Sequence, residues 1–377
     1  MKPKKRRIAG LIVAAGLSSR MQAFKPLLPL GDGTVVSHAV NSLKAAGVDD
    51  VRAVVGFRGN ELAAHLSSMG VPSATNERYA GTHMFESVAI GLKWLSEDAD
   101  AVFVLPGDVP LVRRHSIKAL IKAYLNTDAP LIYPAYRGRR GHPPLIAKAC
   151  FPAILAHGGE DGLRGALRRF ERGALTVGLP DPGLLMDADT PTDYERLCRS
   201  VRDAEVTSEE VCETILAWAG TPEASVAHAR VVGRVAARLA ELLKDAGHPV
   251  DPELALAGGL LHDVAKGKKD HALRGARLLW SLGYPVVAGI VRAHNDPPGD
   301  AVSALDERAL VYLADKLVLK TSVVGIDARF ARAFARFGDD AAVASNIQKR
   351  KETALGVANR IADVLGKPGL AEVMRLL

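Results

Sequence analysis

The sequence runs to 377 residues, more than one typical hydrophobic core requires, so two domains are expected. Its 48% hydrophobic and 24% charged residues suit a soluble globular chain, and no run approaches the roughly 20 uninterrupted apolar residues of a membrane-spanning helix, which excludes that class. The formal charge of +7 invites a polyanionic partner, but aromatics are only 5% and do not interleave with basic residues, which favours small polyphosphates over nucleic acid.

The first residues, MKPKKRR, form a basic tail over 1–7, and IAGLIVAAG after them reads as a first core strand, not a signal peptide. Over residues 8–200, strands (IAGLIVAA, VRAVVGF, AVFVLPGD, LIYPAY) alternate with helices (VSHAVNSLKAAG, NELAAHLSSMG, HSIKALIKAYL). That alternation predicts an α/β domain with a mostly parallel sheet covered on both faces, its ligands at the carboxyl ends of the strands. The pattern changes after DADTPTDYERLCRSV, and from Thr207 onward nearly everything reads as helix. Ser208 before Glu209 and Glu210 marks a helix start, and a second, all-α domain is assigned to 205–377. Cys150, Cys198 and Cys212 lack CxxC spacing and fit a reducing, cytoplasmic compartment.

The segment LIVAAGLSSRMQAFK carries most of the first domain's chemistry. A strand runs into Ala14, Ala15 and Gly16, small residues that let backbone N–H groups approach a phosphate chain. Ser18 and Ser19 add hydroxyl donors, while Arg20 and Lys25 supply cations against a triphosphate and its leaving pyrophosphate. The LPGDVP turn places Asp108 at a strand end, where a carboxylate can hold Mg²⁺ against phosphates. Asp187 and Asp189 in LLMDADTPTDY offer a second metal contact. In RGRRGHPPLI, Gly141, His142 and Pro143 form a rigid turn suited to shaping a substrate pocket, although His142 alone reads equally well as structural.

Together these motifs resemble the molybdopterin nucleotidyltransferase family, and within it the molybdenum cofactor cytidylyltransferase branch. The resemblance covers residues 8–197 and rests on AAGLSSRM with Lys25, GTVVSHAV, VVGFRGNEL, NERYAGTHMFESV, GDVPLV, GHPPLI and DADTPTDY. It implies a Rossmann-like nucleotidyltransferase sheet in which Ala14, Ala15, Gly16, Arg20 and Lys25 hold the nucleotide. Asp108 would bind Mg²⁺, with Asp187 or Asp189 as partner. The implied reaction joins a nucleoside monophosphate to the terminal phosphate of the pterin cofactor and releases pyrophosphate. The SSRM and GHPPLI forms incline the choice to CTP, and a molybdenum enzyme or its chaperone would receive the product. A sugar-phosphate or other small-phosphate nucleotidyltransferase is the alternative, disfavoured by the GHPPLI and DADTPTDY pair.

In the second domain, His262 and Asp263 adjoin in GGLLHDVAKG, His228 lies in the helical SVAHARVVGRVA, and Asp315 in the apolar LVYLADKLVL. A carboxylate on an apolar helix face is costly unless a cation or hydrogen bonds compensate it. This set resembles the HD-domain phosphohydrolase superfamily over residues 207–330. His271 and His294 stand where some HD branches carry additional ligands, including the bacterial diadenosine tetraphosphate hydrolase group. The resemblance implies one or two divalent ions, with Fe, Mn and Zn all suited to a mixed His/carboxylate set. Lys266 reads either as a contact to substrate phosphate or as a solvated residue of the charged loop KGKKDH. A non-hydrolytic nucleotide sensor regulating the transferase is the alternative for this half.

Overall fold

The computed structural model describes residues 6–17, 21, 23–81, 83–95, 97–202 and 207–377. The chain divides into two compact units, Met1–Arg202 and Asp203–Leu377.

Ten strands are described in the first unit: β1 (Ile8–Ala14), β2 (Pro29–Leu30), β3 (Gly33–Thr34), β4 (Val51–Val55), β5 (Ser73–Thr75), β6 (Ala101–Pro106), β7 (Leu131–Tyr136), β8 (Arg139–Arg140), β9 (Leu145–Ala147) and β10 (Leu175–Gly178). Its helices are α1 (Val35–Ala45), α2 (Gly59–Ser68), α3 (Met84–Leu95), α4 (Arg114–Leu125), α5 (Phe151–Leu155), α6 (Gly162–Leu167) and α7 (Pro191–Arg202). The main sheet has the order β10-β7-β9-β6-β1-β4-β5, with β8 appended to β7. Strands β6, β1, β4 and β5 run parallel, as does the β10–β7 pair. Strand β9 lies antiparallel between β6 and β7, so the sheet is mixed. The reason is local: the chain reverses after β7 at Arg137–Gly138, both at positive φ, and β8 and β9 return along β7, which leaves no room for the helical crossover a parallel strand needs.

Period-two geometry divides the core. Ile12, Ala53, Val55, Phe103 and Leu105 join a cluster with α1, α2 and α4, whereas Leu11, Val13, Val54, Val102 and Val104 join one with α3, α5 and α6. Helices therefore cover both faces, and the turns after β1, β4 and β6 meet at one carboxyl edge. Crowding there is tight enough to select residues. A Cβ at Gly107 would stand 2.8 Å from the Ala14 side chain. Arg6 and Arg7, assigned above to a tail, are docked: Arg6 donates to Tyr124 O (2.9 Å) and the Arg7 amide to Asp100 Oδ2 (2.7 Å). Met1–Lys5 lie outside the described residues.

The second unit contains α8 (Glu209–Trp218), α9 (Glu223–Asp245), α10 (Pro252–Leu261), α11 (His271–Ser281), α12 (Pro285–Ala293), α13 (Gly299–Ala304), α14 (Glu307–Leu317), α15 (Ile326–Phe337), α16 (Ala341–Val364) and α17 (Leu370–Met374). A two-stranded hairpin, β11 (Val318–Leu319) with β12 (Ser322–Val323), interrupts the helical run. Ser208 caps α8 through the Val211 amide. None of the described helices is long and apolar enough to cross a membrane.

Helices α9 and α10 cross at paired glycines. A Cβ on Gly259 would lie 2.6 Å from Gly233 Cα and 2.9 Å from its nitrogen. Both contacts are backbone, so no rotamer change relieves them. Gly259→Ala should therefore push the helices apart and destabilise the second unit by about 1–3 kcal/mol. Thermal denaturation of the full chain checks this, and an unchanged midpoint for the second unit would show that the crossing tolerates a methyl group.

Candidate active sites

A cleft opens at the carboxyl edge of the first unit's sheet. Ala14, Ala15, Gly16, Lys25 and Asp108 line it, together with Asn76, Tyr79, His83, Met84 and Ser87. At its centre stands Lys25, only 7% exposed, whose Nζ lies 2.7 Å from Asp189 Oδ1 and 3.6 Å from Asp108 Oδ2. The Asp108 carbonyl accepts from the Ala188 amide (2.9 Å), which ties the β6 turn to the turn bearing Asp187 and Asp189. Asp187 has its pKa raised by partial desolvation and by repulsion from Asp189 and Asp108, against the pull of Lys25. The region thus concentrates negative charge around one ammonium. Asp108 and Asp189 are hard oxygen donors of the kind Mg²⁺ takes, and their partly exposed carboxylates fit that ion.

Gly141 and His142 stand beside this cleft, outside its lining. The His142 amide donates to Leu184 O (2.9 Å), and a Cβ at Gly141 would lie 2.2 Å from that same oxygen. His142 has its pKa lowered by burial, an effect the Asp108 charge partly offsets. Ser18, Ser19 and Arg20 lie outside the described residues. Sequence reasoning assigned no role to Asn76 or Ser87. Asn76 is 2% exposed, donates to Ser87 Oγ (3.0 Å) and accepts from the Arg78 amide (3.0 Å). The available signal was an asparagine just past the short, partly exposed strand β5, and its burial shows only in the fold, where a buried amide must be satisfied.

The second unit brings its six proposed ligands together. His228, His262 and Asp315 form one group and Asp263, His271 and His294 another, each with three ligand atoms within 4.8 Å of one another. Asp108, Asp187 and Asp189 do not converge to that degree. Helix α9 supplies His228, the end of α10 supplies His262 and Asp263, α11 opens with His271, α12 ends at His294, and α14 carries Asp315. His228 Nε2 lies 3.0 Å and His262 Nε2 3.7 Å from Asp315 Oδ1. His271 Nε2 lies 3.2 Å and His294 Nε2 3.8 Å from Asp263 Oδ1, while His262 Nε2 is 3.4 Å from Asp263 Oδ2. Asp263 faces both groups.

The histidines are aimed from behind. Nδ1 of His228, His262 and His294 lies 2.8, 2.7 and 2.6 Å from the carbonyls of Lys320, Gly259 and Val291. A carbonyl only accepts, so each Nδ1 carries the proton and Nε2 is left to bind. His262 Nε2 and Asp263 Oδ1 are buried without a hydrogen-bond partner. Orphaned polar atoms at the centre of such a donor set fit a divalent ion. His248 stays apart, bonded to Ala304 O.

Electrostatics follow the same geometry. Burial opposes ionisation of Asp263, but His262 and His271 outweigh it and hold the carboxyl well below its usual range. Asp315 is also held low, burial being overcome by Lys316 and His228. Burial, then the neighbouring His262, pulls His294 down to about 3. His262 moves the other way: burial lowers it, yet the Asp263 carboxylate and then the Asp315 charge leave it raised. Lys266 Nζ lies 2.9 Å from Asp263 Oδ2 and is half exposed.

Residues 10–174 match the MobA-like NTP transferase domain, and residues 226–319 match the HD domain. The molybdenum cofactor cytidylyltransferase of Escherichia coli (strain K12) is a homologue, 28% identical over 186 residues, 49% of this chain and 92% of that protein. The bifunctional protein GlmU of Geobacter sulfurreducens is 32% identical over 138 residues, 36% of this chain and 29% of that protein. Among solved structures, Rv0371c from Mycobacterium tuberculosis H37Rv is 24% identical with a TM-score of 0.46, covering 52% of this chain and all of that one. A nucleotidyl transferase from Methanothermobacter (Mth528) is 23% identical with a TM-score of 0.47, covering 52% and 99%.

An ion ligated by His262 must displace its proton. Because that pKa is raised above its ordinary 6.5, divalent-metal affinity should climb as pH rises through and above 6.5, by up to about tenfold per unit while His262 is protonated. Calorimetric Mn²⁺ titrations in two buffers of different ionisation enthalpy would read the released proton. A pH-independent affinity without proton release would remove His262 from the ligand set.

Proposed function

We propose that this chain, a nucleotidyltransferase domain joined to an HD domain, is bifunctional. Its first unit transfers a cytidylyl group from CTP to the terminal phosphate of molybdenum-loaded molybdopterin and releases pyrophosphate. Its second hydrolyses a phosphate ester or anhydride. The observation that carries the first half is Lys25 held between Asp108 and Asp189 within a Gly16-lined cleft. The proposed acceptor is supported by the 28% identity that extends over nearly all of the Escherichia coli cytidylyltransferase.

In the transfer, an acceptor phosphate oxygen attacks the α-phosphorus of CTP, and the bond to the bridging oxygen of the β-phosphate breaks. The nucleophile is already anionic, so the protein needs no strong general base there. Lys25 is placed to neutralise charge on the triphosphate and the departing pyrophosphate. Magnesium, when bound, would be held by Asp108 and Asp189 and would offset the same charge. His142 and Gly141 shape the ground beside Asp108 where the acceptor would lie.

In the HD site, the six ligands His228, His262, Asp263, His271, His294 and Asp315 would hold one or two divalent ions such as Fe, Mn or Zn. Those ions, when bound, would supply the Lewis acidity that activates water toward phosphorus. The backbone-anchored histidines set ligand direction, and Asp263 links both groups. Lys266, on the solvent side of Asp263, is free to swing onto a substrate phosphate. Complete ligand sets favour hydrolysis over a sensor role.

Pyrophosphate release with Mg²⁺, molybdenum-loaded molybdopterin and CTP, GTP or ATP in turn tests the first half. Activity is expected with CTP, reduced about a hundredfold or more in Asp108→Ala. Release with another nucleotide would correct the base, and silence with all three would mean a different acceptor. Release of mononucleotides from a dinucleoside polyphosphate in the presence of Mn²⁺ tests the second half. His262→Ala should abolish that release and leave transfer intact. Mn²⁺ binding without turnover of any phosphate ester or anhydride would favour the sensor.

A further inference from the structure

The helix that carries Asp315 places a second charge beside it. Lys316 is 7% exposed, and its Nζ lies 2.6 Å from Asp315 Oδ2 and 4.9 Å from the centre of the Tyr312 ring. The carboxylate is thereby divided between two kinds of partner. Oδ1 faces His228 and His262, while Oδ2 is taken by the ammonium. Lysine is almost never buried unless paired, and an apolar side chain would fill the same space without that penalty. Packing alone therefore does not account for it.

Charge does. Asp263 and Asp315 bring two negative charges to the cluster, and Lys266 and Lys316 bring two positive ones. Leaving the imidazoles aside, these four charges balance one another in the metal-free set. The two lysines differ in freedom, however. Lys266 is half exposed and can turn into solvent, whereas Lys316 is enclosed against Tyr312. An incoming divalent ion can displace the first cation but must accept the second as a fixed neighbour.

We infer that Lys316 is an internal counter-cation. It balances Asp315 when no ion is bound, and it weakens the grip of an ion ligated through Oδ1, keeping that ion exchangeable. The inference rests on the HD-site reading above and concerns a residue outside the ligand set. Two opposing effects decide its sign. Removing Lys316 loses one hydrogen bond that orients Asp315, which weakens binding by several-fold. It also removes repulsion between a unit charge and a doubly charged ion on the same carboxylate, which is worth about tenfold more than that. Repulsion wins.

The test uses the full-length protein, stripped of metal, with Mn²⁺ as the probe. Binding by calorimetry and the thermal midpoint with and without Mn²⁺ are measured for wild type, Lys316→Met and Lys316→Arg. Lys316→Met should bind Mn²⁺ about tenfold more tightly, melt lower without metal and gain more from its addition. Lys316→Arg, which keeps the charge, should stay near wild type. A Lys316→Met protein that folds only with Mn²⁺ would support the inference, because the ion then replaces the ammonium. Unchanged or weaker Mn²⁺ binding by Lys316→Met would overturn it and leave Lys316 as an orienting group. If wild type itself bound no Mn²⁺, the site reading would fail and take the inference with it, whereas the ratio of variant to wild type judges the inference alone.

Discussion

An ionised carboxylate taken out of water must find its charge balance inside the protein, and in the second unit two of them do so within one cluster. Asp263 is 3% exposed and Asp315 8%. Unpaired, each would carry a desolvation penalty of several kcal/mol, enough to consume much of a domain's stability. The surrounding architecture answers that demand. Five helices send their ends or buried faces to the cluster, three histidines are pinned by backbone carbonyls, and two lysines contribute charge. The Gly233–Gly259 crossing belongs to the same requirement, since α10 must lie close on α9 for His262 and His228 to share Asp315.

The first unit meets the problem in a different medium. Its carboxylates sit at the edge of a sheet, with Asp108 and Asp189 retaining more than a quarter of their side-chain exposure. Water screens them, and among the described residues Lys25 is the ammonium paired with both Asp108 and Asp189, while partial desolvation and the neighbouring carboxylates raise the pKa of Asp187. The cost of an open edge is precision. Glycine at 107 lets the turns after β1 and β6 close on each other, and the Asp108 carbonyl bond to Ala188 couples the two acidic turns. The result is a cleft in which a buried ammonium meets partly exposed carboxylates on turns that the backbone holds together.

How far this was legible in the sequence differs between the two halves for physical reasons. Strands such as AVFVLPGD and the Asp108 turn were readable because apolar runs and turn residues act over a few positions. The antiparallel β9 was not, since pairing partners depend on a connection whose direction periodicity does not encode. The clustering His and Asp residues of the second unit were visible because polar residues on apolar helices are expensive and so carry information. Lys316 obeys the same rule, yet beside Asp315 it reads as part of a charged pair, and only its burial shows that it does not reach solvent. Asn76 and Ser87 lie in a segment whose role depends on folding back against β1, which no local pattern reports.

Donor chemistry separates the two sites in one more respect. Oxygen-only donors at an exposed edge bind Mg²⁺ weakly and share it with the phosphates it accompanies, so such an ion would arrive and leave with substrate. Imidazole and carboxylate donors inside a helical bundle bind transition metals far more tightly, and an ion there would ordinarily outlast many turnovers. A fixed ammonium against one of those carboxylates works against that permanence. On that reading the second unit would combine donors that favour retention of an ion with a fixed charge that favours its release. Burial of the carboxylate is what makes the opposition effective: Lys25 in the first unit is as enclosed as Lys316, but its partners Asp108 and Asp189 keep more than a quarter of their side-chain exposure, and solvent weakens the effect there.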